Sequence, residues 1–160
     1  MVQITIEYMI MVPLLILQIF LFPLTAGLLM THWVDSRQTL ALQETASHLG
    51  SSIQQVYSAL NHQSISAGTV RSKLAVTAYI EGYAFAGNAS LRAAEADSSQ
   101  FLDITLKFMG SSIETTTTVT LGSNVNWAAD SAFASNSTNA NLVAEKLSNN
   151  TILLSFEGVD

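Results

Sequence analysis

The chain is dominated by the stretch QITIEYMIMVPLLILQIFLFPLTAGLLMTHW, residues 3–33. The 27 residues from Tyr8 to Val34 carry no formal charge when His32 is counted as neutral. About 20 apolar residues are enough for a helix to cross a bilayer, so this stretch predicts a membrane-length helix. A secretory signal peptide fits poorly, because the apolar run is too long and no basic region precedes it. We therefore expect the segment to remain in the mature protein.

Three features fit poorly with a plain single-pass anchor. Glu7 lies at the start of the apolar run, where a carboxylate is costly unless it has a partner or an interfacial position. Pro13 and Pro23 each remove a backbone hydrogen bond from the helix. The first basic residue is Arg37, after the run, although an anchor with a cytoplasmic N-terminus has its basic residues before it. The plain anchor nevertheless stays open as an alternative.

The stretch QITIEYMI, residues 3–10, resembles the mature start of archaeal type IV pilin-like proteins, which are made with a class III signal peptide. The family pattern has Gln at the cleaved end, a hydroxyl residue two positions later, Glu four positions later and then an aromatic residue. Gln3, Thr5, Glu7 and Tyr8 match it, with Thr where Ser is commoner. In that family a short basic leader precedes the Gln and is removed by a peptidase. Only Met1 and Val2 precede Gln3 in this sequence, so we expect this chain to be close to its mature form.

The resemblance implies how the residues at the start of the stem act in processing and assembly. The new α-amino group is positive at neutral pH, and Glu7 of the same or a neighbouring subunit would supply its counter-charge inside a helix bundle. The bundle would also accommodate Pro13 and Pro23, because neighbouring helices can satisfy freed carbonyls. The implied partners are other copies of the chain, the membrane before assembly, a prepilin peptidase and a pilus assembly machinery.

The helix is predicted to continue beyond the apolar run as an amphipathic helix. An apolar stripe recurs at alternating spacings of three and four residues, which is typical of one buried helix face; it consists of Thr39, Leu42, Ala46, Leu49, Ile53, Val56 and Leu60. We expect this face to pack on the following domain rather than in a coiled coil. Gly50 is expected to mark a bend. The stem is thus predicted over residues 1–62, apolar over 4–34 and amphipathic over 35–62.

Short strands are predicted over residues 70–160. FLDITLKFM alternates in polarity, the Thr-rich SSIETTTTVTLG favours a strand, and SNN is predicted to join ANLVAEKL and TILLSFEG in a hairpin. AGN, residues 86–88, is predicted to be a turn between two further strands. Six to eight such strands predict an antiparallel β-sandwich, of which an immunoglobulin-like sandwich is one form. The predicted fold class is therefore α+β.

Three sequons occur in segments predicted to be loops of the outer domain. Their asparagines are Asn88, Asn136 and Asn149, and none lies in the stem. Chance matches are common in a chain so rich in Asn, Ser and Thr. Sugar would nevertheless suit an outward-facing domain that has little charge to keep it soluble.

Composition argues against several classes of function. The net charge is −6 with six Lys and Arg, so nucleic acid is a poor partner. The chain has no Cys, and His32, His48 and His62 lack the spacing of a metal site. Catalytic motifs such as HEXXH and GXSXG are missing. We therefore predict that the protein is not an enzyme and uses no cofactor or metal.

Together these observations predict a structural pilin of an extracellular filament, polymerised through its N-terminal helix and used for adhesion or surface attachment. Before assembly the subunit would lie in the cytoplasmic membrane. Two alternatives stay open. One is a membrane-anchored extracellular β-domain that does not polymerise, and the other is a minor or pseudopilin-like component of a filament.

Overall fold

The computed structural model describes residues 2–93 and 99–159, with side chains from Tyr8 onward. One helix, α1 (Val2–Leu60), precedes all the strands, which confirms the predicted α+β class. The eight strands are β1 (Gly68–Lys73), β2 (Phe85–Ala93), β3 (Gln100–Phe108), β4 (Glu114–Leu121), β5 (Val125–Trp127), β6 (Ala132–Ala134), β7 (Asn141–Lys146) and β8 (Ile152–Glu157).

The chain forms two compact units, residues 1–37 and residues 38–160. The amphipathic part of α1 belongs to the same unit as the strands, whereas the sequence placed it with the stem. The physical reason is burial: the face of α1 from Leu42 to Leu60 contributes to the core of the strand domain. The helix ends at Leu60, two residues before the predicted end.

The strands form two four-stranded sheets, with orders β1-β7-β8-β5 and β4-β3-β2-β6. All pairings are antiparallel except β5 with β8, which is parallel. The domain is therefore β-sandwich-like. The meander β2-β3-β4 within one sheet differs from the strand order of constant-type immunoglobulin domains.

Strand β3 shows how the sequence selects the inner face of its sheet. Leu102, Ile104, Leu106 and Phe108 are buried, while the residues between them are partly or fully exposed. The same alternation occurs in β7 and β8, whose pairing confirms the hairpin predicted at SNN. A period of two in polarity thus places one face of each strand toward a common core.

The helix stripe completes that core. Leu42, Ala46, Leu49 and Ile53 are almost entirely buried, and they belong to one hydrophobic cluster with residues of both sheets. Further along the helix, the sequence stripe predicted that Val56 is buried. Val56 is only partly buried, and its neighbour Tyr57 is buried instead. The Tyr57 hydroxyl donates a hydrogen bond to Asn124 Oδ1 at 2.8 Å, so this large side chain keeps a polar partner at the edge of the core.

Gly50 serves close packing between helix and sheet. A Cβ atom at this position would lie 2.7 Å from Cγ2 of Val119 on β4, which is closer than real Cβ contacts come. Valine is β-branched and restricted at χ1, so its side chain cannot easily turn away. The glycine therefore lets α1 approach β4, and this contact accounts for a residue that the sequence alone suggested as a bend.

Gly50→Ala should destabilise the domain despite the better helix propensity of alanine. Overpacking costs about 1–3 kcal/mol, against a gain of about 1 kcal/mol from propensity. Chemical denaturation of the full chain in detergent would measure the difference. In a Val119→Ala background the same substitution should become neutral or stabilising. Gly27→Ala is the matched control, because a Cβ there meets no atom within 4 Å; equal losses at both glycines would contradict this account.

The predicted turn at AGN is wrong, because residues 86–88 lie inside β2. Gly87 is buried there, and a Cβ on it would collide with the ring of Phe133 on the neighbouring strand β6. Glycine at this position thus permits close approach of an aromatic ring rather than a reversal of the chain. As a consequence Asn88, predicted to lie in a loop, is an exposed residue of a strand.

The outer face of the sheet β4-β3-β2-β6 carries a small polar network. Thr118 Oγ1 donates a hydrogen bond to Asp103 Oδ1 at 2.6 Å, and Arg92 Nε donates one to Asp103 Oδ2 at 3.2 Å. These two hydrogen bonds, that of Thr118 first, lower the pKa of Asp103 below its ordinary value. Because the carboxyl is partly exposed to water, the network contributes only modestly to stability.

Thr118→Val should raise the pKa of Asp103 toward its ordinary value, as followed by carboxyl NMR titration. The pKa of Asp103 is lower in the folded than in the unfolded state, so its stabilisation is present above the unfolded pKa and is lost as pH falls through the folded pKa. The stability difference between wild type and variant should therefore shrink in acid. Thr116→Val is the control, since Thr116 shares a hydrogen bond with Thr105 instead; an equal shift there would contradict the assignment.

Candidate assembly surface on the N-terminal helix

The segment from Tyr8 to Val34 is exposed at every residue. Large apolar side chains fill the consecutive runs Leu14–Leu17 and Ile19–Phe22, with exposed fractions from 50% to 76%. Four consecutive residues of a helix point in all directions around its axis, so the segment is apolar on every side. We call residues 8–34 of α1 the apolar segment.

The apolar segment is long and apolar enough to cross a membrane, with a mean hydropathy of 2.2 over its best window. A signal sequence and a core helix of a soluble protein can pass the same test of length and composition. In this chain the window is not buried by the described residues. Burying a leucine- or phenylalanine-sized side chain contributes about 1.5–3 kcal/mol, so the segment requires a covering of lipid or of other protein helices.

Pro13 and Pro23 both lie inside α1, as predicted from the sequence. Each lacks an N–H, so the carbonyls of Met9 and Ile19 lose their usual donors four residues along the helix. Ten residues of helix place the two prolines about 15 Å apart along the axis and about 80° apart around it.

Two polar side chains of the apolar segment, those of Gln18 and Thr25, lie near Pro23 in the sequence. Thr25 Oγ1 lies 3.0 Å from each of the carbonyl oxygens of Leu21 and Phe22, to which it donates. Hydroxyls of this kind satisfy the backbone within the helix itself. Gln18 is exposed and lies five residues before Pro23. Its side-chain amide carries two N–H donors and one acceptor oxygen.

Two shallow apolar grooves lie on the helix surface beside Pro13 and Pro23. One, of about 460 Å³, is lined by Pro13, Ile16, Leu17, Phe20, Leu21 and Leu24. The other, of about 610 Å³, includes Gln18, Ile19, Pro23 and Thr25. Leu21 borders both grooves, so they adjoin on the helix surface. Such grooves are what the side-chain ridges of a second helix fill when two helices pack.

The other site predictions fall in different places. Tyr8 is 67% exposed at the start of the apolar segment. The side chains of Gln3, Thr5 and Glu7 lie outside the described residues, so the predicted role of Glu7 stays a prediction. Asn136 and Asn149 are exposed in turns, as expected, and Asn149 Oδ1 accepts a hydrogen bond from the Thr151 N–H at 3.0 Å.

The histidines are dispersed. His32 is exposed at the end of the apolar segment, and His48 lies on the exposed face of α1 with Nε2 4.0 Å from Glu44 Oε1. His62 Nδ1 lies 2.7 Å from the hydroxyl oxygen of Ser64. Within residues 8–93 and 99–159, no group of three or more His, Asp or Glu side chains is placed to hold a metal ion.

Sequence reasoning missed two polar features of the strand domain. Lys146 is only 4% exposed, and its Nζ donates a hydrogen bond to the His62 carbonyl at 3.0 Å, just beyond the end of α1. The other is a groove beside Trp127, with Asp130 and Ser131 in its wall. A lone tryptophan within the polar stretch NWAADS was the available signal for the groove. For the lysine the signal was the alternation of β7, which puts Lys146 on the same face as the buried Leu142 and Ala144.

No protein-family profile, curated protein or solved structure matches this chain.

Proposed function

We propose that this chain is a structural subunit of an extracellular filament of the archaeal type IV pilus kind. The apolar segment packs against the same segment of other copies in a central bundle, and the strand domains coat the bundle. The observation that carries the proposal is an apolar helix exposed on every side, attached to a domain whose own helix face is already buried. Adhesion or surface attachment is the proposed use.

Assembly on copies of the same helix also suits the polar groups of the apolar segment. The carbonyls freed by Pro13 and Pro23 need donors, and lipid tails have none. A glutamine from a neighbouring helix is such a donor, and interhelical hydrogen bonds of this kind contribute about 0.6–2 kcal/mol. Gln18, close to Pro23 on the groove that includes Ile19, is placed for this role. The subunit lies in the cytoplasmic membrane before it enters the filament.

A membrane-anchored domain that does not polymerise is the second candidate, because the length and hydropathy of the same helix suit a bilayer. The two candidates differ in what they require of Gln18. In a filament it hydrogen-bonds a neighbour, whereas in lipid an apolar residue would be preferred. The filament could also be initiated by this chain as a minor component, in which case the chain would be scarce among the sheared filaments.

The first test is to shear surface material from producing cells, image it by electron microscopy and identify the filament protein by mass spectrometry. Thin filaments built mainly of this chain are expected. A chain that stays in the membrane fraction, with no filaments in the sheared material, would support the anchor instead.

Gln18→Leu should reduce filament yield while leaving the strand domain folded by circular dichroism. The loss follows from a missing donor for the proline-freed carbonyl of a neighbour, and about 1.4 kcal/mol per contact corresponds to roughly tenfold in the association constant. Gln55→Leu is the matched control, an exposed glutamine of the same helix outside the apolar segment. Unchanged filaments with Gln18→Leu would reject this hydrogen bond.

Glu7→Gln tests the charge pairing that the family resemblance implies. Without the carboxylate, the α-amino group would be buried without a counter-charge, and breaking a buried pair costs about 3–5 kcal/mol. Filament yield should therefore fall at least tenfold, with normal folding of the strand domain. Glu44→Gln, which neutralises an exposed carboxylate on the same helix, should have little effect. Equal filament yields from all three proteins would reject the pairing while leaving the filament itself standing.

A further inference from the structure

Strand β6 covers only part of the edge of β2, and a groove lies beside the uncovered part. The strand pairs only with Ala86–Asn88, while β2 continues to Ala93. Residues 88–91 of β2 line one side of the groove, and Trp127 with residues 129–132 lines the other. Its volume of about 610 Å³ falls within the range of small-molecule sites, about 300–1,000 Å³.

The open edge of β2 presents main-chain groups to this groove. The Phe85 carbonyl accepts a hydrogen bond from Ser135 N–H, so Phe85 directs its main-chain groups toward the β6 side. Alternation along an antiparallel strand gives the same direction to Gly87, opposite Phe133, and then to Ala89. Strand β6 begins only at Ala132, opposite Asn88. The next pair in this register is Ala89 with Ser131, the residue before β6, so the main-chain groups of β2 that have no β6 residue opposite them begin beyond Ala89.

Two buried polar atoms in the groove wall have no hydrogen-bond partner among the described residues. They are Nε1 of Trp127 and Oγ of Ser131. Leaving such a group unsatisfied costs about 1–3 kcal/mol, and native structures rarely do so without a water or a ligand to account for it. The indole ring is held edge-on against Phe156, with ring centroids 4.8 Å apart, so its N–H is fixed in direction.

The charge of the groove favours a neutral polar ligand. Asp130, exposed and in the left-handed backbone region at φ 60°, supplies the formal charge of the described lining. The cation on β2, Arg92, is bound to Asp103 and does not line the groove. An anion would meet a carboxylate with no compensating cation. The groove lining combines carboxylate, amide and hydroxyl oxygens with an indole ring. Such a lining suits a ligand that has adjacent hydroxyl groups and a ring with an apolar face.

We propose that this groove binds a neutral saccharide unit. Sugar hydroxyls donate to Asp130 and accept from the Trp127 N–H group, and the apolar face of the sugar ring packs on the indole. Asn88, at the margin of the groove, is the exposed asparagine of the sequon Asn88-Ala89-Ser90. The saccharide is therefore either the first sugars of a glycan carried by Asn88 or a sugar of another molecule. Neither source requires filament formation.

Trp127 itself reports binding. The chain has two tryptophans, so Trp33→Phe leaves Trp127 as the single indole in the full chain. Protein made without glycosylation and held in detergent would be titrated with glucose, galactose, mannose and N-acetylglucosamine, and with glucuronate as an anionic comparison. A saturable change in emission with a neutral sugar is expected, with Kd about 1 mM, corresponding to about −4 kcal/mol. No response to any neutral sugar, or a response to glucuronate alone, would overturn the proposal for a free sugar.

Asp130→Gly should weaken binding at least tenfold without lowering the thermal unfolding midpoint, because glycine adopts the left-handed backbone at φ 60° without strain. Glu114→Ala is the matched control, because it removes an exposed carboxylate at the start of β4, away from the groove. Equal weakening by both variants would show an effect of net charge and overturn the site.

Glycosylated protein separates the two sources. Mass spectrometry would establish occupancy at Asn88, and Asn88→Gln would remove that glycan. If the attached glycan fills the groove, the two proteins differ in Trp127 emission, and free sugar binds only to Asn88→Gln. If the ligand comes from another molecule, both proteins bind free sugar. Identical emission and no binding by either protein would overturn both forms of the proposal.

Discussion

Leu42, Ala46, Leu49 and Ile53 share one hydrophobic core with both sheets, and the rest of the domain depends on that packing. The helix can approach β4 this closely only because residue 50 is a glycine, so a single contact with Val119 limits the distance between helix and sheet. The Tyr57 hydroxyl donates a hydrogen bond to Asn124, and Lys146 Nζ donates one to the His62 carbonyl just beyond the end of α1. The buried face is thus followed by polar bonds at its end.

The same helix meets two different environments along its length. From Leu42 onward one face is buried and the others carry Gln, Ser, Glu and His, which is the composition of a helix packed on a domain in water. From Tyr8 to Val34 every face is apolar and exposed. The apolar surface that is still unburied therefore lies on the first half of the helix. The proposal that other copies of the chain, rather than lipid, cover this surface rests on the prolines, on Gln18 and on the resemblance at residues 3–10.

The elements that periodicity predicted well are those with one buried face. The helix stripe, the alternation of β3 and the β7–β8 hairpin all follow from a period that matches the local geometry. Gly87 was misjudged because glycine signals both turns and close approaches, and only the position of Phe133 tells them apart. β5 and β6 are three residues each, too short to carry a period. The groove beside Trp127 arises where β6 begins, and the end of a strand has no signature in composition.

The parallel pairing of β5 with β8 imposes an order on how the domain is completed. β5 pairs only with β8 in its sheet, and β6 and β7 lie between the two along the chain. While the polypeptide is being synthesised, Val125–Trp127 therefore has no strand to pair with in its sheet until Ile152–Glu157 has emerged. Trp127 and Phe156 meet only at that moment. The wall of the Trp127 groove is consequently among the last parts of the domain to form, after the helix and the β2-β3-β4 meander are already available.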